Sequence, residues 1–374
     1  MKYRILLFVL LTVVCLTGCD RFGNKDRIEP VRSVDILQIE AGANSTYILK
    51  GDNTLWACGG NEYSQLGDGT TTSRRVLVKI SDEVKAVSAH YHTLIIKSDN
   101  SLWACGNNVR GQLGDGTTTR RTDLIPITDN VKMVSAGLDH SLVLKNDNTL
   151  WTCGLNLNGQ LGDGTTTDRG YLIKVADSVK AVSAKGWHTL VLKSDNTLWA
   201  CGHNFFGELG DGSTIHRKEF VRVTDNVKAI SAGLRHTLVL KNDNTLWVCG
   251  ANDNGQLGNG TTTSRENLLK IADDVKSVSG GGDITAVLKN DNTLWACGYN
   301  LEGALGIGSF TSPNTLVKVS DNVKAVSAGI NHTVVLKSDN TLWACGWNKI
   351  FGQLGINSFT DRNVLVPVYI PWEN

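Results

Sequence analysis

A five-residue string, Leu-Trp-x-Cys-Gly, returns seven times in this chain and constrains its fold more than any other feature. Its cysteine stands at Cys58, Cys105, Cys153, Cys201, Cys249, Cys297 and Cys345. The first interval is 47 residues and each later interval is 48. A regular period of this length is typical of architectures in which each copy is one supersecondary unit stacked on its neighbours.

Each copy has the pattern of four short strands. In the fourth copy, runs rich in β-branched, leucine and aromatic residues cover Val179–Ser183, Thr189–Lys193, Thr197–Cys201 and Phe220–Val223. Turn residues separate the runs, and Ser194-Asp195-Asn196 is a hairpin turn. One such sheet cannot bury both faces alone, so we expect an all-β, seven-bladed β-propeller of four-stranded antiparallel blades over residues 34–374. The phase of the blades and the closure of the ring stay open.

The N-terminus has a different character. Lys2 and Arg4 precede an apolar run that is too short to span a bilayer, which is a secretory signal layout. The next residues, Leu16-Thr17-Gly18-Cys19, resemble the lipobox of bacterial lipoproteins, whose cysteine receives a diacylglyceryl group; a plain signal peptide is the alternative. We expect a signal peptide over residues 1–18, then lipidated Cys19 and a polar tether over residues 19–33. This layout predicts lipid anchoring to the cell membrane or outer envelope, outside the cytoplasm.

The repeat also resembles a known family. Ala-Gly-x-x-His-Thr-Leu-Val-Leu-Lys, then Leu-Trp-x-Cys-Gly-x-Asn-x-x-Gly-Gln-Leu-Gly-Asp-Gly and an arginine, is similar to the regulator of chromosome condensation repeat from about Ile36 to Ile370. The resemblance implies a seven-bladed propeller, in agreement with the count of repeats. The chain departs from the family with Asp-Asn in the hairpin, where Asp-Gly is common, and with Cys where Trp is usual.

The residues repeated in every copy have structural interpretations. We expect the tryptophan of the string to fill the core between blades, and its cysteine to be a buried free thiol. At one position, five copies have a histidine that we expect to be structural: His92, His140, His188, His236 and His332. The other two copies have Ser45 and Ile284 there. Another carries an arginine expected to donate to backbone carbonyls, replaced by Pro313 in the sixth copy: Arg74, Arg121, Arg169, Arg217, Arg265 and Arg362.

The connections between strands sort onto two faces, because an antiparallel meander alternates ends. The turn after the first strand and the long loop after the third share the loop face; the hairpin and the link between copies share the hairpin face. The hairpin face is nearly uniform, whereas the loop face diverges towards residue types enriched at binding hot spots. Neutral drift is the alternative explanation. We expect partner binding by Tyr63, Tyr91, Asp139, Trp187, Phe205, Phe206, Arg235, Asp253, Tyr299, Trp347 and Phe351.

Composition limits the function classes. With 37 basic and 36 acidic residues, no excess of positive charge points to a nucleic acid. No nucleophile–base pair, paired carboxylates or metal-ligand cluster stands out, so we expect a binding protein without cofactor or metal, and not an enzyme. The leading expectation is a protein partner in the cell envelope. Alternatives are inhibition of a secreted enzyme, as by a β-lactamase inhibitor on a similar propeller, carbohydrate binding and, weakest, guanine-nucleotide exchange.

Overall fold

Seven four-stranded antiparallel sheets make up residues 35–370, the part of the chain described by the structure, which is a computed structural model. The hydrogen-bonded order in each sheet follows the order along the chain. The first strands of neighbouring sheets contact one another, so they lie closest to a common axis. The expected all-β, seven-bladed propeller is confirmed. Each blade, numbered 1 to 7 along the chain, is one uninterrupted segment.

The N-terminal features expected from the sequence lie outside this region. The signal peptide, the lipidated Cys19 and most of the tether precede residue 35, and residues 371–374 also fall outside the description. Within residues 35–370 no helix has the length and apolar character needed to cross a membrane.

The strands occupy equivalent positions in the seven blades. The innermost strands are β1 (Ile36–Ala41), β5 (Val84–Ala89), β9 (Val131–Ala136), β13 (Val179–Ala184), β17 (Val227–Ala232), β21 (Val275–Gly280) and β25 (Val323–Ala328). The second strands are β2 (Ser45–Lys50), β6 (His92–Lys97), β10 (His140–Lys145), β14 (His188–Lys193), β18 (His236–Lys241), β22 (Ile284–Lys289) and β26 (His332–Lys337). The third strands are β3 (Leu55–Gly59), β7 (Leu102–Gly106), β11 (Leu150–Gly154), β15 (Leu198–Gly202), β19 (Leu246–Gly250), β23 (Leu294–Gly298) and β27 (Leu342–Gly346). The outer strands are β4 (Arg74–Ser81), β8 (Arg121–Thr128), β12 (Arg169–Ala176), β16 (Arg217–Thr224), β20 (Arg265–Ala272), β24 (Val317–Ser320) and β28 (Arg362–Pro367).

The strands expected in blade 4 are all present, and the outer one is longer than expected. It begins at Arg217, three residues before Phe220, because Arg217 still pairs with Gly202 across an irregularity in the ladder. At the other end of the blade, Asn196 adopts a φ of 64°, the left-handed conformation expected in the hairpin turn.

A ring of side-chain to backbone hydrogen bonds joins the innermost strands at the junctions between blades, here called seams. At the seam of blades 2 and 3, the Ala136 N–H donates to Ser88 Oγ at 3.0 Å. The same bond recurs from Ser135, Ser183, Ser231, Ser279 and Ser327. At the seam of blades 1 and 2 a carboxylate oxygen of Glu40 replaces the serine hydroxyl. Ser327 of blade 7 accepts from Ala41 of blade 1, so the ring closes, and among residues 35–370 no strand is exchanged between blades.

A second set of seam contacts connects the second strands. The Ser141 hydroxyl of blade 3 donates to the Gln112 carbonyl of blade 2 at 2.6 Å and lies 2.7 Å from His92 Nε2. Since the hydroxyl has already donated its single proton, it accepts from His92, whose neutral ring is therefore protonated at Nε2. The equivalent pairs are His140–Thr189, His188–Thr237, His236–Thr285 and His332–Thr46. These seam histidines are structural, as expected, and they act between blades.

The two seams without a histidine differ in how they are completed. At the seam of blades 1 and 2, Ser45 takes the histidine position and the Tyr47 hydroxyl lies 2.9 Å from Thr93 Oγ1 in its place. At the seam of blades 6 and 7, Ile284 takes the position and the buried Thr333 hydroxyl has no hydrogen-bond partner within the described region. Among residues 35–370, the seam of blades 6 and 7 therefore lacks both hydrogen bonds that the hydroxyl makes at the other seams, one to a loop carbonyl and one to a ring side chain.

The strand cysteines are free and buried, in agreement with the sequence-based expectation. Burial raises the pKa of the Cys58 and Cys153 thiols to about 12. Space also favours a small side chain, because the long loop of the preceding blade crosses directly over the thiol. A Cβ added to Gly67 would lie 2.7 Å from Cys105 Sγ, and this glycine also has a φ of 71°. The loop can approach so closely only with glycine above and a small residue below.

The repeated tryptophans pack between blades, as the sequence predicts. Trp103 of blade 2 packs against the buried residues of blade 1, and Trp151 of blade 3 packs against those of blade 2. The Trp103 Nε1–H also donates to the Ser101 hydroxyl at 3.0 Å, so the indole is both buried on one side and hydrogen-bonded.

The expectation that the repeated arginines donate to backbone carbonyls is wrong for blades 1 to 4. Arg74 Nη2 lies 2.7 Å from the Asp68 carboxylate of its own Gly-Asp-Gly turn. Asp68 Oδ1 accepts from Asn61 and Thr70, which leaves Oδ2 for the guanidinium. The same ion pair forms in Arg121–Asp115, Arg169–Asp163 and Arg217–Asp211. A carboxylate gives a charge-assisted bond that a carbonyl cannot match.

The seam that lacks a donor predicts a stabilising substitution. I284H supplies the donor for Thr333 and is expected to raise the free energy of unfolding by about 1 kcal/mol, the usual net value of a hydrogen bond. The reverse change, H236I, is expected to lower it by about 1–3 kcal/mol. Urea denaturation of the mature domain measures both. A loss of stability in I284H would mean that apolar packing outweighs the hydrogen bond at this seam.

The seam histidines also predict that the propeller is less stable in acid. Burial lowers the pKa of His92, His140 and His332 from 6.5 to about 3, and it dominates the lowering for His188 and His236 to about 4. Between these values and 6.5 the unfolded chain binds protons that the folded chain does not, so stability falls as the pH falls through this window. Each histidine contributes up to about 1.4 kcal/mol per pH unit. Urea unfolding at several pH values measures the slope, and I284H should make it steeper; a flat profile would contradict the assignment.

Candidate functional site

A buried asparagine shapes the long loop on the loop face of every blade. In blade 1, Asn61 Nδ2 donates to Asp68 at 2.9 Å and to the Thr70 carbonyl at 3.1 Å, while Asn61 Oδ1 accepts from the Leu66 N–H at 3.0 Å. The last of these contacts recurs at Asn108, Asn156, Asn204, Asn252, Asn300 and Asn348. The loops are therefore fixed internally, and the residues that follow the asparagine are presented in defined positions.

Five exposed apolar side chains occupy equivalent places on these loops. Four directly follow the loop asparagine, and the blade 7 member follows it by two residues. They are 59% to 70% exposed and form what we call the apolar ring: Val109, Leu157, Phe205, Leu301 and Ile350. Blades 1 and 5 have Glu62 and Asp253 at this position. Single exposed apolar residues are ordinary, but a set repeated on one face is a candidate interaction surface. The sequence prediction included only Phe205 from this ring, although the apolar residues after the asparagine were visible.

Two of the expected residues meet across the seam of blades 1 and 2. The rings of Tyr63 and Tyr91 are 5.1 Å apart with planes tilted by 60°, and the His90 ring packs on Tyr91 at 4.8 Å. Tyr63 is exposed, while Tyr91 is half-buried. The pair is held by its own ring contact and presents an aromatic edge to solvent.

The largest aromatic group on the loop face belongs to blade 4. Phe205 and Phe206 meet edge to face at 5.0 Å, and the His203 ring lies 6.5 Å from Phe206 and 5.9 Å from Trp187. We call these four residues the aromatic cluster. Three of them were predicted from the sequence, and the structure brings them together through a histidine that was not.

Arg235 of blade 5 extends this cluster with a fixed charge. Its guanidinium carbon lies 5.1 Å from the centre of the Phe206 ring, and its nitrogens lie 2.9 Å from Asp283 and 3.5 Å from Asp253. Stacking on one side and two carboxylates on the other restrict the guanidinium to one arrangement. Arg235 and Asp253, both predicted contact residues, are thus parts of one network.

Asp139 lies beside Trp187. Burial raises the pKa of the Asp139 carboxyl, against the nearby charge of Arg110 and a hydrogen bond with the Trp187 side chain, which lower it. Gln112 Nε2 also approaches Asp139 at 3.4 Å. The predicted residues Asp139 and Trp187 are therefore neighbours across the seam of blades 3 and 4.

The remaining predicted residues lie in blades 6 and 7. The Tyr299 hydroxyl is 3.0 Å from a carboxylate oxygen of Glu302, and the Trp347 ring packs edge to face on Phe351 at 5.4 Å. Phe351 is only 8% exposed, because its ring lies against the backbone at Gly60 of blade 1. Phe351 therefore supports Trp347 from below, and the exposed apolar residue of this loop is its neighbour Ile350.

Sequence reasoning missed the polar residues under the aromatic cluster. Glu208 is buried where five other blades have glutamine, and its Oε1 lies 2.8 Å from His203 Nδ1. Burial would raise the pKa of Glu208, but its hydrogen bonds, first of all the one from His203, outweigh burial and hold the pKa below its usual value. His216 stacks on His203 at 4.7 Å. The sequence signal for this network was the glutamate that replaces the usual glutamine at position 208. Among residues 35–370, no group of three potential metal ligands occurs.

A second missed feature closes the axis at the loop face. Lys185 takes a position that is glycine in five blades, and its ammonium donates to the carbonyls of Ala41 at 3.2 Å and of Ala328. His90 takes the same position in blade 2 and is fully buried. A polar cavity of about 200 Å³ lies behind them on the axis. These residues occupy the channel and leave the seven outer loops as the exposed part of this face.

Several solved structures share the fold. Human WBSCR16 is 22% identical with a TM-score of 0.73, over 81% of this chain and 87% of that chain. Yeast RCC1 (Prp20), solved with Kap60 bound to it, is 16% identical with a TM-score of 0.75, over 97% and 91%. Prp20p from Saccharomyces cerevisiae is 18% identical with a TM-score of 0.75, over 90% and 88%. Among curated proteins, no relative matches this sequence.

Family profiles match the repeats directly. The regulator of chromosome condensation (RCC1) repeat matches residues 36–65 and residues 99–144. The RCC1-like domain matches residues 124–372, which is more than half of the sequence. The chain therefore belongs to the RCC1-like domain family.

Proposed function

We propose that this chain is a lipid-anchored, extracytoplasmic scaffold that recognises a protein partner through the loop face of its propeller, by binding and not by catalysis. The observation that carries the proposal is the apolar ring: five side chains at equivalent positions, each more than half exposed on the same face. Burying such side chains against a partner is the main favourable term in protein association.

The polar network beside the ring supports a protein partner. Trp187 and Arg235 belong to the residue types that dominate binding hot spots, and both are already in contact with a neighbour, Trp187 with the His203 ring and Arg235 with Asp283. A side chain fixed before binding loses less conformational entropy when the partner arrives. The loop face thus combines exposed apolar area with pre-organised anchors.

The hairpin face offers the contrast. Its exposed lysines are bonded to hairpin asparagines of their own blade, as in Lys132–Asn148 at 2.9 Å and Lys180–Asn196 at 2.7 Å. A uniform, hydrated face of this kind is suited to solvent, so the divergent loop face is the one we assign to the partner.

The structurally similar propellers support a protein as the class of partner. Yeast Prp20 was solved in complex with Kap60, and a study of Prp20p concerns its binding to Gsp1p and histones. Propellers of this fold thus bind proteins. The envelope location of the present chain rests on its own N-terminal sequence, Leu16-Thr17-Gly18-Cys19.

Removing the apolar ring is expected to abolish partner binding without affecting the fold. In a triple variant L157S/F205S/L301S the changed side chains are largely exposed, so the Tm should change little. Recovery of partner proteins from native envelope extract by the lipid-free mature propeller should fall at least tenfold, which corresponds to about 1.4 kcal/mol.

The matched control is K132S/K180S/K228S on the hairpin face, which should recover the same proteins as the wild type. Equal recovery by the ring variant and the wild type would contradict the proposed surface. Capture of glycans by the wild type, with no protein, would replace the protein partner with a carbohydrate.

The anchor has its own test. Cells expressing the full chain are labelled with an alkyne fatty acid, and their proteins are partitioned in Triton X-114. The wild type is expected to carry the label and enter the detergent phase, whereas C19S should do neither, because Cys19 is the acceptor. An unlabelled wild type would rule out lipidation and leave the plain signal peptide.

A further inference from the structure

Two repeated arginines have lost the carboxylate of their turn: Arg265 in blade 5, and Arg362 in blade 7, where Ile356 takes the aspartate position. In blades 1 to 4 the arginine at the start of the outer strand pairs with the aspartate of the Gly-Asp-Gly turn at 2.6–2.8 Å. In blade 5 the arginine remains as Arg265, but the aspartate is replaced by Asn259. Arg265 is exposed, and its guanidinium has neither an ion pair nor a hydrogen bond with any residue of the described region.

The amide of Asn259 explains why the pair is lost. Asn259 Oδ1 accepts from the N–H and the hydroxyl of Thr261 at 3.1 and 2.9 Å and from Asn252 at 3.2 Å. These donors require an oxygen, so the amide nitrogen must occupy the place from which the aspartate binds arginine. A donor then faces a donor, and Asn259 Nδ2 is buried without a partner. The rest of the turn keeps the geometry of the other blades.

The freed arginine lies in a cleft beside the aromatic cluster. The cleft has a volume of about 370 Å³ and separates the long loop of blade 4 from the outer strand of blade 5. Phe205 and Phe206 line it from blade 4, and Arg265 and Glu266 line it from blade 5. An unpaired guanidinium next to two aromatic rings matches a carboxylate that is adjacent to an apolar side chain.

We propose that this cleft binds an acidic segment of the protein partner, with a carboxylate on Arg265 and a neighbouring apolar side chain against Phe205 and Phe206. The inference rests on the proposed function, since it assigns the chemistry of one part of the loop face. Arg265 presents the guanidinium N–H donors that the arginines of blades 1 to 4 use in an internal ion pair. The carboxylate of the bound segment would accept from these donors, as the turn aspartate does in those blades.

Glu266 narrows the choice of segment. Its carboxylate lines the same cleft and repels a second acidic group close to the first. The preferred segment therefore carries one aspartate or glutamate between apolar residues, and a run of acidic residues binds less well. The same repulsion disfavours a polyanion such as a sulfated glycan.

The repeats supply a sharp variant. N259D restores the carboxylate found in blades 1 to 4 and is expected to draw Arg265 into the internal ion pair, away from the cleft. Because it replaces an unsatisfied buried amide by a salt bridge, its Tm should rise, which reports that the pair has formed independently of any ligand. R265Q removes the guanidinium outright. N242D adds the same charge to the hairpin face of the same blade and serves as the matched control.

The probes are acetylated, amidated hexapeptides with one Asp or Glu between Leu, Ile or Phe residues, each paired with a copy carrying Asn or Gln, and one oligogalacturonate. Arrays select the peptides, and fluorescence anisotropy on the mature propeller gives Kd. The wild type and N242D are expected to bind the acidic copies about tenfold or more tightly than the amide copies, in line with a charged hydrogen bond. N259D and R265Q should lose this preference.

Four results with these probes would overturn the assignment: no peptide bound by the wild type, equal Kd for acidic and amide copies, an acid preference that survives in N259D with its raised Tm, or tighter binding of the oligogalacturonate. The outcome is separable from the proposed function. If the apolar-ring variant loses its protein partner while N259D keeps it, partner binding by the loop face is supported and binding of an acidic segment in the cleft is rejected.

Discussion

A single hydroxyl at six of the seven seams supports the closed ring. On the second strand of one blade it donates to a loop carbonyl of the preceding blade and, at five seams, accepts from that blade's histidine, as Thr46 does with Gln353 and His332 where the ring closes. An isolated four-stranded sheet of this size is marginally stable, and within the described part of the chain no strand is shared between blades 1 and 7. The seams must therefore provide the cohesion that a shared strand provides elsewhere. Burial strengthens these bonds, because water does not compete for them.

The period of the sequence predicted the number of blades, the four strands and the free thiols, because these depend on local pattern alone. The partners of the repeated polar residues depend on geometry between copies. Histidine and hydroxyl residues are adjacent along the chain, as in His188-Thr189, yet each bonds the next or the preceding blade. The sequence indicated the arginine partner only in part: blade 6 has lost the aspartate and the arginine together, with Ile307 and Pro313 in their places, whereas blades 5 and 7 keep the arginine without the aspartate.

Divergence between copies located part of the candidate site. It identified Trp187, Phe206 and Arg235, which the structure places in one network. It misassigned the loop of blade 7, because one extra residue there turns Ile350 outward and buries Phe351. It also overlooked substitutions that leave a residue in place but remove its partner. Arg265 is the same residue as in blades 1 to 4, and only Asn259, six residues earlier, shows that it has no carboxylate partner in its turn.

Lys185 gives the propeller a mechanical property. Lys185 stands two residues before Trp187 in blade 4. Its side chain crosses the axis and donates to carbonyls of blades 1 and 7. The ring therefore has a cross-brace between its first blade and the one that holds the aromatic cluster. In a propeller attached to a membrane by its N-terminus, as we propose, tension enters the fold at β1. The hydrogen bond from Lys185 to the Ala41 carbonyl connects that strand directly to the turn of Trp187. A force on the anchor and a force on the bound partner would therefore both act on this side chain.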